Sequence, residues 1–353
     1  MAVYTTIDDP SAHIQTAIWT GNNVNNRAIT NDGNSDLQPD FIWLKDRNVG
    51  FGYRLTDSTR GITKNLASET TGAESTSTTQ YASWNTDGFT LIYGGQQVPN
   101  YNGNTYVAWQ WKAAGGTTTS VNESQYNAGG TYQKNETAGF SIVSYTGIDT
   151  VGEVTHGLTT QPQVVIVKRK DDTGAWATYH ESAGITGTLF LNSTDAKANT
   201  TAYFHTGWGS ATKFPVGTNA VTNADGATYV AYVFSERQGY SKFRSYVGNG
   251  NADGPFVYTG FKPAWVMIKA NSASKNWYIW DNTRSPTNTV DAGLVPNAVN
   301  TELINYDPVD FLSNGFKIRH NDATWNGNGT TVYYMAFAEN PFTTSTGIPT
   351  TAR

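Results

Sequence analysis

Gln38-Pro39-Asp40-Phe41-Ile42-Trp43-Leu44-Lys45 decides the fold, because the chain writes the same phrase twice more: Gln161-Pro162-Gln163-Val164-Val165-Ile166-Val167-Lys168 and Lys262-Pro263-Ala264-Trp265-Val266-Met267-Ile268-Lys269. Proline, a spacer, a run of β-branched, aromatic and other apolar residues and a closing lysine recur about 100 to 125 residues apart, too far for solenoid repeats and right for whole small domains. Proline cannot donate to a ladder and belongs at a strand entrance, and an unbroken apolar run suits a strand covered on both faces.

A second phrase follows each copy in the same order: Thr105-Tyr106-Val107-Ala108-Trp109-Gln110-Trp111, Thr228-Tyr229-Val230-Ala231-Tyr232-Val233-Phe234 and Val332-Tyr333-Tyr334-Met335-Ala336-Phe337. A third precedes it, as strands that stop at glycine: Ile14 to Gly21, Phe140 to Gly147 and Phe243 to Gly248. After the Pro-led run come Gly52-Tyr53-Arg54-Leu55-Thr56-Asp57, Ala175-Trp176-Ala177-Thr178-Tyr179-His180 and Asn276-Trp277-Tyr278-Ile279-Trp280-Asp281, whose alternation predicts a strand with one wet face. Asp87-Gly88 and Asn314-Gly315 are expected to supply the positive φ of tight hairpins, while the middle copy lacks this turn.

These repeats predict an all-β chain of three tandem antiparallel β-sandwich modules, jelly-roll or lectin-like, spanning 13–112, 138–238 and 239–342. A leader over 1–12, a Gly/Thr/Asn-rich linker or ordered surface excursion over 113–137 and an extended tail over 343–353 complete the expected division. Modules two and three, with no comparable gap between them, are expected to pack closely, with the first on a longer tether or reaching across.

Composition agrees with this class: 35 Gly and 20 Tyr stand against 3 Met and 14% charged residues. A net charge of −5 provides no basic footprint for nucleic acid or an anionic membrane, so neither is expected as a partner. There is no cysteine, which excludes disulfides and thiolate metal sites. Residues 1–13 have neither the basic nor the apolar region of a secretory signal, and export by that route is not expected.

Candidate chemistry is sparse. His13, His156, His180, His205 and His320 form no metal-binding spacing, and Ser182 near His180 lacks a nucleophile elbow. The carboxylate groups Asp8-Asp9, Asp171-Asp172 and Asp307 with Asp310 specify no glycosidase separation. Asn223-Ala224-Asp225-Gly226 and Asn326-Gly327-Asn328-Gly329 read as turns, with Ca²⁺ as the alternative use of their oxygens. No catalytic residue and no other cofactor is expected. Aromatic rings are the surplus; Tyr101, Tyr126, Trp208 and Trp325 fall in loop-like sequence and are the candidate surface rings, while Ile7, Asp8, Asp9 and Pro10 are the candidate docking residues of the leader.

Tyr4-Thr5-Thr6-Ile7-Asp8-Asp9-Pro10-Ser11, Trp19-Thr20-Gly21-Asn22, the Gln38 to Arg47 stretch, Asp57-Ser58-Thr59-Arg60-Gly61, Asn85-Thr86-Asp87-Gly88-Phe89, Tyr106 to Lys112 and the ending Ala336-Phe337-Ala338-Glu339-Asn340-Pro341-Phe342 resemble a family of marine bacteriophage virion proteins, tail-fibre-like or structural, with modules similar to lectin-like sandwiches. The resemblance covers most of the chain and is weaker in the middle. It implies a non-enzymatic virion component, capsid-decorating or part of a tail appendage, assembled in the host cytoplasm. The partners implied are other virion proteins and further copies of the chain. The alternatives are an adhesion protein binding a host surface glycan and a polysaccharide depolymerase.

Overall fold

The computed structural model describes residues 3–95, 99–205, 207, 210–306 and 308–350. The chain is all-β, and its three main sheets share one strand order. In the first, Ile14–Thr20 pairs with Thr105–Trp111, which pairs with Phe41–Asp46 and then Arg54–Asp57. The middle sheet repeats this with Phe140–Thr146, Thr228–Phe234, Val164–Arg169 and Ala177–His180. The last uses Ser241–Val247, Thr331–Pro341, Phe261–Ala270 and Trp277–Asp281. Registers agree as well: Ile14 faces Trp111, Phe140 faces Phe234 and Ser241 faces Phe337.

The proline reading needs one adjustment. Pro39 and Pro162 precede their strands, whereas Pro263 lies inside Phe261–Ala270, where the register shifts on both sides of it. A bulge tolerates the missing N–H as well as a strand end does.

Each main sheet is backed by a smaller one, of Arg27–Ile29, Phe89–Leu91 and Tyr81–Trp84, or Phe256–Tyr258, Gly315–Ile318 and Val309–Leu312. The middle case is built differently. Its Gly152–Thr155 and Lys213–Val216 are joined by the two-residue strand Asn127–Ala128, paired in parallel. That strand comes from the stretch expected to be a linker, and it takes the third place in the small sheet that lacks the tight hairpin turn. Residues 113–137 also carry Thr119–Val121 and Gly130–Asn135, which extend the middle main sheet. Their polarity reflects an edge position and not a tether.

Alternation along the Pro-led strands explains their unbroken apolar run. Ile42 and Leu44, Val165 and Val167, and Val266 and Ile268 point to the small sheet behind them. Phe41 and Trp43, Val164 and Ile166, and Trp265 and Met267 point the other way, into one cluster shared by all three main sheets. Trp111 sits at its centre, its ring 5.3 Å from Phe41, 5.7 Å from Trp265, 5.8 Å from Phe337 and 6.4 Å from Phe234. Of the two arrangements open to the first sheet, the structure has it reaching across and not tethered at a distance, because its aromatic face lies in the same core as the others. Within the cluster lies a cavity of about 10 Å³, room for a single water.

The closing lysines Lys45, Lys168 and Lys269 are fully buried, and each donates from Nζ to the carbonyl of the next residue, at 2.6, 2.6 and 2.9 Å. Burial pushes all three down to about 8.

Candidate functional site

The polar residues that the sequence places at the ends of the Arg54–Asp57, Ala177–His180 and Trp277–Asp281 strands do not face a cleft. Each crosses to the next main sheet. Asp57 accepts from the Tyr232 hydroxyl at 2.8 Å, His180 donates from Nε2 to Tyr334 O at 3.1 Å, and Asp281 accepts from Trp109 Nε1 at 2.8 Å. The first sheet thus reaches the middle, the middle reaches the last, and the last returns to the first.

Buried cations complete two of the seams. Arg60 donates to Asp57 at 2.5 Å and to Glu74 at 3.0 Å. Arg284 donates to Asp281 at 2.6 Å and to Glu302 at 2.8 Å, and Glu302 also takes a forked contact from Arg47, down to 2.7 Å. Although the third seam is more exposed, its arrangement is related, since Arg244 spans Glu181 and Glu236. Among these groups, the carboxylates of Asp57, Asp281 and Glu302 spend their lone pairs on protein donors. Such sites hold elements together.

The histidines follow the same logic. His180 Nδ1 accepts from the Ser182 backbone N–H at 3.2 Å, which fixes the proton on Nε2, so both ring nitrogens are engaged with backbone groups. His156 Nδ1 accepts from Leu158 N at 3.2 Å. Burial pushes both imidazoles down to about 4. The unfolded chain then takes up protons at these positions from pH 6.5 downward while the fold resists until about pH 4. Stability falls across that window by about 3 kcal/mol per histidine. Urea midpoints measured at pH 7 and pH 4.5 check this, and His180→Gln flattens the dependence.

Turn oxygens considered for calcium are used internally. Asn223 is fully buried, accepts from Ile148 N at 2.9 Å and donates to Thr150 O and Gly217 O, each at 2.7 Å. Asn326 accepts from Asn249 N at 2.7 Å and donates to Asn251 O at 2.6 Å and His320 O at 3.1 Å. Asn100 does the same in the first sheet, accepting from Asn22 N at 3.2 Å and donating to Val24 O at 2.7 Å. Each asparagine stands five residues before its closing strand and pins the turn after the opening strand. The signal for this fastener is in the sequence, where Asn, then Asn or Asp, then Gly recurs at the same offset in all three copies. Asn326→Ala is expected to cost about 2–3 kcal/mol by orphaning several buried backbone groups, read as a lowered urea midpoint. Among the described residues no group of three or more His, Asp or Glu side chains is placed to hold a metal ion.

The candidate surface rings separate. Trp325 is buried at 4% exposure, in the short helical turn Ala323–Asn326 that Asp322 caps, and packs on Tyr278, Trp280 and His320. It belongs to the core between the sheets because the turn folds it inward, and the ring left outside there is Tyr306. Tyr101 is half-buried, its backbone N–H donating to the Tyr106 hydroxyl at 3.0 Å. Tyr126 is 62% exposed. Trp208 and Asp307 lie outside the described residues, and Asp310 pairs with Arg319 at 2.5 Å.

The leader lies against the chain itself. Tyr4 donates to Gly260 O at 2.6 Å, Ile7 is buried in the central cluster, and Pro10 is buried at the start of a short 3-10 turn. Asp8 accepts from Ser345 of the tail, while Asp9 accepts from Ser11 and Ser35, both hydroxyls at 2.6 Å. The four candidate docking residues therefore sit in contacts that tie the two ends of the chain to the same body.

No helix is long and apolar enough to cross a membrane among the described residues. No curated protein matches the chain. Residues 9–341 match the model of a family described as a domain of unknown function, DUF7483, and this span takes in all three main sheets. The chain belongs to the DUF7483 family.

Proposed function

We propose that the protein is a non-enzymatic structural component of a bacteriophage particle, decorating the capsid or forming part of a tail appendage, and that it is built from three related sandwich modules. The observation that carries this reading is the use of its buried polar groups. Asp57, His180 and Asp281 are spent on joining one sheet to the next, and a body fastened this way presents a fixed outer surface. The resemblance of the first third and the C-terminal end to virion proteins supports the same assignment. Assembly in the host cytoplasm and contacts with other virion proteins or further copies follow from it.

Exposed rings favour a second reading, attachment to a host surface glycan. Tyr126 and Tyr258 are 62% and 57% exposed, and flat rings stack on sugars. Cryo-electron microscopy of intact particles tests the main reading: density for the sandwich body at the particle surface is expected. Recovery of the chain only from the soluble lysate contradicts it. Glycan-array binding that Tyr258→Ala abolishes moves the assignment to adhesion.

A further inference from the structure

An antiparallel ladder turns both polar groups of alternate residues to the same side. Gly21 N donates to Asn104 O, Gly147 N to Ala227 O and Gly248 N to Thr330 O, which fixes the outward residues of the opening strands. They are Thr16 and Ile18, Ile142 and Ser144, and Phe243 and Ser245. An outward edge left bare invites another strand.

The middle edge is paired by a strand inside the chain, and the last is capped by a side chain at one backbone N–H. In the middle sheet Ile142 pairs with Gln133 of Gly130–Asn135, and the Gln133 amide reaches across the seam to Ser58 Oγ at 2.7 Å and Thr59 Oγ1 at 2.6 Å. In the last sheet Phe243 N donates to Glu236 at 2.7 Å, with Glu236 held by Arg244 at 2.9 Å. Glu236 stands two residues past Phe234, and the matching residue two past Phe337 is Glu339. That side chain turns away, to Lys262 and Asn282, each at 2.7 Å.

Thr16 and Ile18 consequently keep an edge that no strand pairs with among the described residues. Beside it lies a groove of about 160 Å³ with Gln15 and Thr16 on one wall, Asn282 and Thr283 on the other, and Asp32 and Glu339 at the rim. Asn282 and Thr283 follow Asp281 as Ser58 and Thr59 follow Asp57. The open groove is the counterpart of the place that Gln133 fills.

The geometry points to this groove as an acceptor for an extended segment of another polypeptide, added antiparallel to Ile14–Thr20. Its recognisable chemistry is a Gln or Asn opposite Thr16, with the amide bonding Asn282 and Thr283, followed by a lysine toward Asp32 and Glu339, as Lys134 follows Gln133. Ile18, at 43% exposure, adds an apolar contact along the same edge. The inference stands on strand register and does not depend on the particle reading.

The probe is a synthetic peptide with the sequence of residues 129–137, added to the full chain and followed by amide hydrogen exchange and fluorescence anisotropy. Exchange at Thr16 and Ile18 is expected to slow at least tenfold. A Gln133→Leu peptide is expected to bind at least tenfold more weakly, and Thr283→Lys in the protein to abolish the protection. Asn282→Trp blocks the same groove should the lysine variant fail to fold. The proposal is overturned by unchanged exchange at millimolar peptide, by protection that survives both blocking variants, or by faster exchange at Ile142 and Ser144, which means displacement of the chain's own strand. Dimerisation in sedimentation that Thr283→Lys abolishes gives the groove to a second copy and overturns it equally.

Discussion

Asp57→Ala is expected to destabilise the protein by about 3–5 kcal/mol, the range for stripping one partner from a buried ion pair. Arg60 is left with 2% of its side chain exposed and with Glu74 as its remaining carboxylate, and the buried Tyr232 hydroxyl loses its acceptor in the neighbouring sheet. Both losses fall on one seam, so the effect exceeds that of an exposed pair such as Arg169 with Asp171. Asp281→Ala makes the same test at the seam between the last sheet and the first, where Arg284 and Trp109 Nε1 lose their partner. Asp57→Asn keeps an acceptor for Tyr232 and is expected to cost less. Urea midpoints of the three variants decide the order.

Trp111→Ala is expected to cost about 3–5 kcal/mol, as for other large aromatic residues deleted from a packed core. What sets this site apart is which elements meet there. The Trp111 ring touches Phe41 of its own sheet, Phe234 of the middle one, and Trp265 and Phe337 of the last. Trp19 is a suitable control: it packs on Phe89 and Tyr106 between the first main sheet and its small partner. Both substitutions lower the midpoint. Only Trp111→Ala is expected to broaden the transition by loosening one sheet from the other two.

Much of the architecture is legible in the chain because its signals are local. The Pro-led phrase, the closing phrase and the glycine stops specify the strands, and the unbroken apolar run in Phe41–Leu44 already implies cover on both faces. What covers the second face was not legible. Tryptophans such as Trp111 and Trp265 look alike whether they meet a small sheet behind them or a neighbouring main sheet in front. Residues 113–137 misled for a physical reason: strands at an edge are half wet and need few apolar residues, so their composition matches that of a linker.

The contacts between sheets were illegible for a similar reason. Asp57, His180 and Asp281 share an offset, but that they fasten one sheet to the next depends on partners 154 to 175 residues away. Trp325 sits in loop-like sequence and still faces inward, because a capped helical turn rotates it onto Tyr278 and Trp280. Asn100, Asn223 and Asn326 were visible as a repeat, yet a buried asparagine that staples a turn and an exposed one that holds an ion have the same spelling.

Scanning calorimetry of the full chain tests most directly whether three sheet pairs closed in a ring by Asp57, His180 and Asp281 melt as one body. The account predicts a single transition with equal calorimetric and van't Hoff enthalpies, which Trp111→Ala splits. Separate transitions in the unmodified chain, or one that Trp111→Ala merely shifts without splitting, would contradict it.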